Sequence, residues 1–374
     1  MLRKTLLRIL GCVLLLYGSA ALAFTLIELP AQEGLAPSNT VTDATTLQTQ
    51  IQPIAGAIRA QILSHRRPKS SQRVTQAGRL LAANAHGNSL SDVNYLAAAG
   101  TGSASGGGAG DVESLWISAT TNSLENDFSR TAFYGATHNL LAGFDVTRSD
   151  KYILGIAFGH EASNYTTTFN AGNEKTRGFN VNPYFAYLLS DTWSLDLIVG
   201  YGQFDTRQSR TVAAINPFPP PILVALPVNS EFSSERGFVS TNLTNVSAWG
   251  NWRLTSSLGL LATRRESDAY AESDGTAVAA SKQSVEQWTL LGEAAYGRGA
   301  SETYLGLMYE RAQDPPEIQF ATGEQPANDP DSVLLTAGWR YFGKGLTANF
   351  VFSSRLAQDQ VSEYGFAMMI RVDL

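Results

Sequence analysis

The residue types that most often carry catalysis are sparse in this chain. Four histidines (His65, His86, His138 and His160) and one cysteine (Cys12) stand among 374 residues. A nucleophilic relay needs a histidine held between a hydroxyl and a carboxylate, and His160 with Asp127 or Glu161 is the one arrangement to weigh. No G-x-S-x-G and no H-x-x-x-H occurs. Gly106-Gly107-Gly108 has the composition of a phosphate loop, but no Lys-Ser/Thr follows it. Carboxylates at Asp314, Glu317, Asp329 and Asp331 could take calcium, and polar loop chemistry explains them equally well. No enzyme activity, no cofactor and no metal site are expected.

The other chemistry available is that of charges held in a narrow space. Asp145, Asp196, Glu293, Glu310, Arg253, Arg340, Arg355 and Arg371 interrupt apolar stretches at alternate positions. Their meaning depends on the elements that carry them. After Asp111 the pattern has period two, as in a strand whose successive side chains point to opposite faces. In the last segment Tyr364, Phe366, Met368, Ile370, Val372 and Leu374 share one face. Strands are predicted at 112–121, 139–148, 152–163, 177–189, 193–206, 236–249, 252–264, 285–297, 301–312, 332–342, 346–355 and 362–374. Many measure about ten residues, the length of a tilted membrane strand.

The connections alternate in length. Short turns at 149–151, 190–192, 250–251, 298–300 and 343–345 are separated by longer loops near 122–138, 164–176, 207–235, 265–284 and 313–331. Membrane barrels have short periplasmic turns and longer extracellular loops. Trp193, Tyr201, Trp249, Trp252, Trp288, Tyr296, Trp339 and Tyr341 border the strand ends, as interfacial girdles do. Charged residues make up 16%, with 33 glycines and a net charge of −6. This suits an all-β, 12-stranded antiparallel transmembrane barrel, and the acidic balance argues against a nucleic-acid partner.

Arg3, Lys4 and Arg8, an apolar run from Ile9 to Tyr17, and Ala21-Leu22-Ala23 read as a signal peptide over 1–23, cleaved after Ala23. That implies passage through the Sec translocon. Most of the apolar run follows Cys12 instead of preceding it, so lipidation there is not expected, and cleavage would remove the only thiol. Residues 24–99 form a short segment with one or two helices. Leu47, Ile51, Ile54, Ile58 and Ile62 recur at helical spacing. Pro53 interrupts that pattern and places the start of the firm helix there. A second helix is predicted over 72–85. Residues 100–110 (GTGSASGGGAG) read as a linker, with the barrel over 111–374.

Several blocks carry a family resemblance: Gly135-Ala-Thr-His-Asn-Leu-Leu-Ala-Gly-Phe-Asp145, Tyr152-Ile-Leu-Gly-Ile-Ala-Phe-Gly159, Asn182-Pro-Tyr-Phe-Ala-Tyr187 and Trp193-Ser-Leu-Asp-Leu-Ile-Val-Gly-Tyr-Gly202. In order and spacing the region resembles the translocator domain of autotransporters, the type V secretion proteins of Gram-negative bacteria. The resemblance implies a monomeric outer-membrane barrel, reached with periplasmic chaperones and inserted by the barrel-assembly machinery. That machinery would read Tyr364, Phe366, Met368, Ile370, Val372 and Leu374. It also implies that the barrel exports or displays its own N-terminal segment, and that a helix before the first strand lies in the lumen. Two features depart from the family. The last residue is Leu374, where Phe or Trp is usual, and only residues 24–110 precede the barrel, with no β-helix repeats. A large cargo is therefore not expected.

A helix within 43–86 is expected to plug the lumen, with Arg59, Arg66 and Arg67 meeting Asp196, Glu293 and Glu310. The alternative is a barrel with a structural, adhesive or pore-forming role that exports nothing. Lipid and lipopolysaccharide are the surrounding partners, and Pro217–Pro221 is a stiff apolar loop that could touch them.

Overall fold

The computed structural model describes residues 27–29, 37–65, 112–149, 151–216, 222–313, 318–320, 326–327 and 329–374. The regions read as a signal peptide (1–23), a second helix (72–85) and a linker (100–110), with Arg66, Arg67, Pro217–Pro221 and Asp314–Glu317, lie outside them.

Twelve strands form a closed antiparallel barrel. They are β1 (Val112–Asn126), β2 (Phe133–Arg148), β3 (Tyr152–Thr167), β4 (Gly172–Leu188), β5 (Trp193–Asn216), β6 (Ile222–Trp249), β7 (Trp252–Ser267), β8 (Ser281–Arg298), β9 (Ser301–Gln313), β10 (Asp331–Phe342), β11 (Leu346–Leu356) and β12 (Val361–Asp373). Each pairs with its neighbour in sequence, and β12 closes on β1 with Met368 opposite Ala119. Closure leaves no unpaired edge, which a spanning sheet in lipid requires. Gly250 and Gly299 sit in two-residue turns at positive φ, +59° and +64°, where a β-carbon would strain the chain.

Side chains alternate in and out of the wall. On the outer face an apolar band runs round the barrel, for example Leu154, Ile156 and Phe158 on β3 and Leu305, Leu307 and Tyr309 on β9. Polar residues end it on the loop side: Thr121, His138, His160, Arg177, Gln203, Glu235, Arg264, Glu286, Arg311 and Asp331. Trp193, Trp249, Trp252 and Tyr296 lie exposed at its turn-side edge. The strands do not stop at the loop-side edge. β5 and β6 run 24 and 28 residues, so their paired ends rise well beyond the membrane. The regions 122–138, 164–176 and 207–235, predicted as loops, are therefore largely strand, and 265–284 continues the barrel strands at both its ends.

One helix, α1 (Ser38–Ser64), runs down the lumen. It passes through Pro53 without breaking, so the helix does not begin there. Pro53 offers no N–H to the Thr49 carbonyl; contacts with the wall hold the helix across that gap. Leu47, Ile51, Ile54, Ile58 and Ile62 are all at most 1% exposed and pack on Trp116, Leu141, Ile153, Ala157, Tyr184, Ile198 and Phe238. Burying each contributes roughly 1.5–3 kcal/mol. The lumen accepts polar residues on the other faces, so α1 carries buried Thr42, Asp43, Thr46 and Gln50 as well.

Candidate functional site: the plugged lumen

At the turn-side end of the barrel the helix terminates in a polar clasp. Asp145 of β2 accepts four hydrogen bonds. Ser114 Oγ (2.6 Å) and His65 Nε2 (2.9 Å) donate to one oxygen. Gln61 Nε2 (2.8 Å) and Tyr184 OH (2.7 Å) donate to the other. Arg371 of β12 donates to His65 Nδ1 at 2.9 Å and to Ser64 Oγ at 2.9 Å. The imidazole thus accepts at Nδ1 and donates at Nε2. Trp116 Nε1 donates to Tyr184 OH at 2.9 Å. Two glycines make room for these rings: a β-carbon at Gly143 would meet Trp116 at 2.4 Å, and one at Gly155 would meet Tyr184 at 2.1 Å.

At the loop-side mouth a second set of contacts surrounds the helix N-terminus. Pro37 caps the helix without a side-chain bond, so its first amides need acceptors from elsewhere. Gln208 Oε1 accepts from Asn39 N at 2.9 Å. Ser38 Oγ meets Thr167 Oγ1 and Asn170 Nδ2, both at 3.0 Å. Tyr270, in the loop after β7, donates to Asn39 Oδ1 at 2.8 Å and stacks on Phe232 with centroids 4.6 Å apart. Val41 packs among Leu124, Phe128, Phe133 and Tyr165. Asp43 pairs with Arg265, and Thr42 bonds Glu174. Lower down, Arg236 donates to Gln50 Oε1 at 2.7 Å while paired with Glu161 at 2.5 Å. The short strand Ile27–Leu29 pairs in parallel with Ile318–Phe320, in the loop between β9 and β10.

The lumen side from β7 to β12 also carries ion pairs within the wall. Arg340 makes a two-pronged pair with Glu293 (2.7 and 2.6 Å) and lies over the Tyr304 ring at 3.7 Å. Arg253 donates to Glu302 at 2.7 Å. Arg355 pairs with Glu310, and with Glu363 at 2.7 Å. All these lumen charges come from alternate strand positions.

The expected lumen contacts fall as follows. Arg59 reaches Asn242 Oδ1, and Asn242 Nδ2 donates to Asp196 Oδ1 at 2.7 Å. Glu293 is held by Arg340, and also lies 3.8 Å from Arg253. Glu310 is held by Arg355 and Ser332. Tyr364, Phe366 and Val372 are exposed on the outer face of β12, and Leu374 N bonds Glu113 O at 2.9 Å. Glu161, Glu174, Arg236 and Arg265 were not anticipated as lumen groups. His160 and Glu161 lie on opposite sides of the wall, His160 outward and Glu161 fully buried, so they form no relay. His138 also faces out and contacts Thr121 Oγ1 at 3.0 Å.

A helix-plugged twelve-strand barrel invites comparison with translocators, and the autotransporter β-domain family model matches residues 115–351. The chain belongs to the autotransporter β-domain family. Homologous β-domains are outer-membrane barrels, and the translocator role of the barrel follows. The fold is similar to the translocator domain of autotransporter NalP from Neisseria meningitidis, with a TM-score of 0.54 at 12% identity over 83% of this chain and 99% of that one. It is also similar to the β-domain of the Bordetella autotransporter BrkA, with a TM-score of 0.52 at 16% identity over 70% of this chain and 100% of that one. No curated protein sequence matches the chain.

Proposed function

We propose that this barrel carries its own N-terminal segment through the outer membrane and displays it at the cell surface. The observation that carries the reading is the direction of α1. Ser38 lies at the loop-side mouth, by Thr167 and Asn170, and Ser64 lies at the turn side, by Arg371. With loops outside and turns in the periplasm, residues ahead of Ser38 emerge at the cell surface. Residues 66–111 connect two periplasmic points, the end of α1 and the start of β1. A signal peptide over 1–23 would deliver the chain to the periplasm, and the outward face of β12 would be presented to the assembly machinery. Arg59, with Asp196 beyond Asn242, would help to hold the plug, joined by Arg66 and Arg67. The family's barrels are not in general catalytic, and display needs no catalysis.

The test is an epitope tag placed after Leu29 in intact cells treated with external protease. Removal of the tag is expected. A tag that survives until the membrane is opened would place the segment in the periplasm and leave a closed barrel that exports nothing.

A further inference from the structure

On the outer wall, where the apolar band meets its loop-side rim, β3 to β6 enclose a groove of 750 Å³. Its floor is aromatic: Phe158, Phe179 and Tyr201 are 59%, 71% and 46% exposed. Outward-facing Gly237 leaves a hollow beside Tyr201, its neighbour in the ladder; a β-carbon there would come no closer than 3.8 Å to anything. The upper rim has two characters. On β3 and β4 stand His160, its ring 5.0 Å from Phe179, and Arg177. On β5 and β6, Asp205 accepts from Ser233 Oγ at 2.9 Å, and Glu235 accepts from Gln203 at 3.3 Å. Asp268 closes that side.

Arg177 is the informative member. Asp205 is its ladder partner, but that carboxylate is turned to Ser233, and among the described residues no hydrogen bond or ion pair engages the guanidinium. A guanidinium is built to take phosphate through two parallel N–H bonds. It stands one step above Phe179 on the same face, at the height where a lipid places its headgroup. We infer that the groove binds a phosphorylated glycolipid of the outer leaflet. Its phosphate meets Arg177, its sugar hydroxyls meet Asp205 and Glu235, and one acyl chain lies along Phe179, Phe158 and Tyr201. The groove faces lipid, so the site stands whether or not the N-terminal segment is exported.

Native mass spectrometry of the full-length protein in detergent tests it, with bis-phosphorylated lipid A and its dephosphorylated form as probes. The intact protein should retain the phosphorylated form about tenfold better, the worth of one charge-assisted contact. Arg177→Gln should erase that preference, and Phe179→Ala should weaken retention of both forms. Equal retention of the two lipids by the unaltered protein marks an adventitious amphiphile and overturns the proposal, with no variant required. A preference that survives Arg177→Gln in a barrel of unchanged heat-modifiable mobility overturns it too.

Discussion

Two walls of one lumen solve the same filling problem by different means. The wall from β1 to β6 presents Trp116, Leu141, Ile153, Tyr184, Ile198 and Phe238 to the isoleucine stripe of α1. The wall from β8 to β12 is crossed by arginine–glutamate pairs, Arg340 with Glu293 and Arg355 with Glu310 and Glu363. The first wall needs the helix, because without it the apolar side chains face water. The second pairs most of its charges with one another, across one strand or two, and touches the helix at few points, Gln287 of β8 at Gln52 and Arg371 of β12 at Ser64 and His65. The helix is thus held mainly by one side of the barrel, with fewer contacts to the other.

The largest effect should come from removing what the apolar wall holds. Deleting residues 24–105 should turn a closed barrel into a conducting one, read as single-channel current in planar bilayers. An unchanged current would mean that the ionic wall alone fills the lumen. Next in size is Arg355→Gln. It leaves Glu310 and Glu363 buried without their cation, which costs about 3–5 kcal/mol, measured by urea unfolding in vesicles. Hydrogen exchange in α1 should change little, because Arg355 bonds Glu310, Glu363 and Ser332 and not the helix. Asp145→Asn comes third. Asparagine keeps one acceptor for Ser114 and His65 but turns an amide toward Gln61, a loss of about 1–3 kcal/mol. Here exchange should quicken in the last turns of α1 and not in β10 and β11. If the two variants gave the same exchange pattern, the two walls would be one energetic unit.

The turn-side half of the barrel was legible in the sequence, while the loop-side half was not. Tyr152, Trp193, Trp252, Ser301 and Leu346 begin their strands as the alternation and the short turns predict. There one face meets lipid and the other a polar lumen, so hydrophobicity alternates. Above the band both faces are polar. Lys175, Arg177 and Arg207 face out where Glu174, Thr176 and Gln208 face in, and no periodicity survives. Glu174 and Arg265 consequently read as loop, although both are buried in the mouth of the lumen. The start of α1 was hidden for a related reason. Ser38 to Thr46 is largely polar because the mouth offers it Thr167, Gln208 and Arg265, and no apolar periodicity in it marks it as buried. Arg355, Arg371 and Asp145 could be assigned to the lumen by register, but register says nothing about partners. That Asp145 serves the helix while Glu293 serves Arg340 depends on which strands lie side by side and how deep each residue sits.

The smallest effect lies where one strand carries an ion pair on each face. On β6, Arg236 points in, sharing Glu161 and Gln50 at 4% exposure of its side chain. Five residues earlier Glu231 points out and pairs with Arg207 at 2.9 Å, with side chains 70% and 76% exposed. Water screens the outer pair, and two long side chains lose freedom to hold it, so such pairs contribute roughly 0–1 kcal/mol. Arg207→Ala should therefore leave the urea midpoint almost unchanged, whereas Arg236→Ala should lower it strongly by stranding Glu161. The comparison is sharpest in low and high salt. Raising salt should remove what little Arg207 contributes and leave the Arg236 effect standing, because the buried pair is shielded from ions. A large, salt-insensitive loss on Arg207→Ala would show that the outward face above the band is covered in the membrane, and that the raised ends of β5 and β6 are a second buried wall.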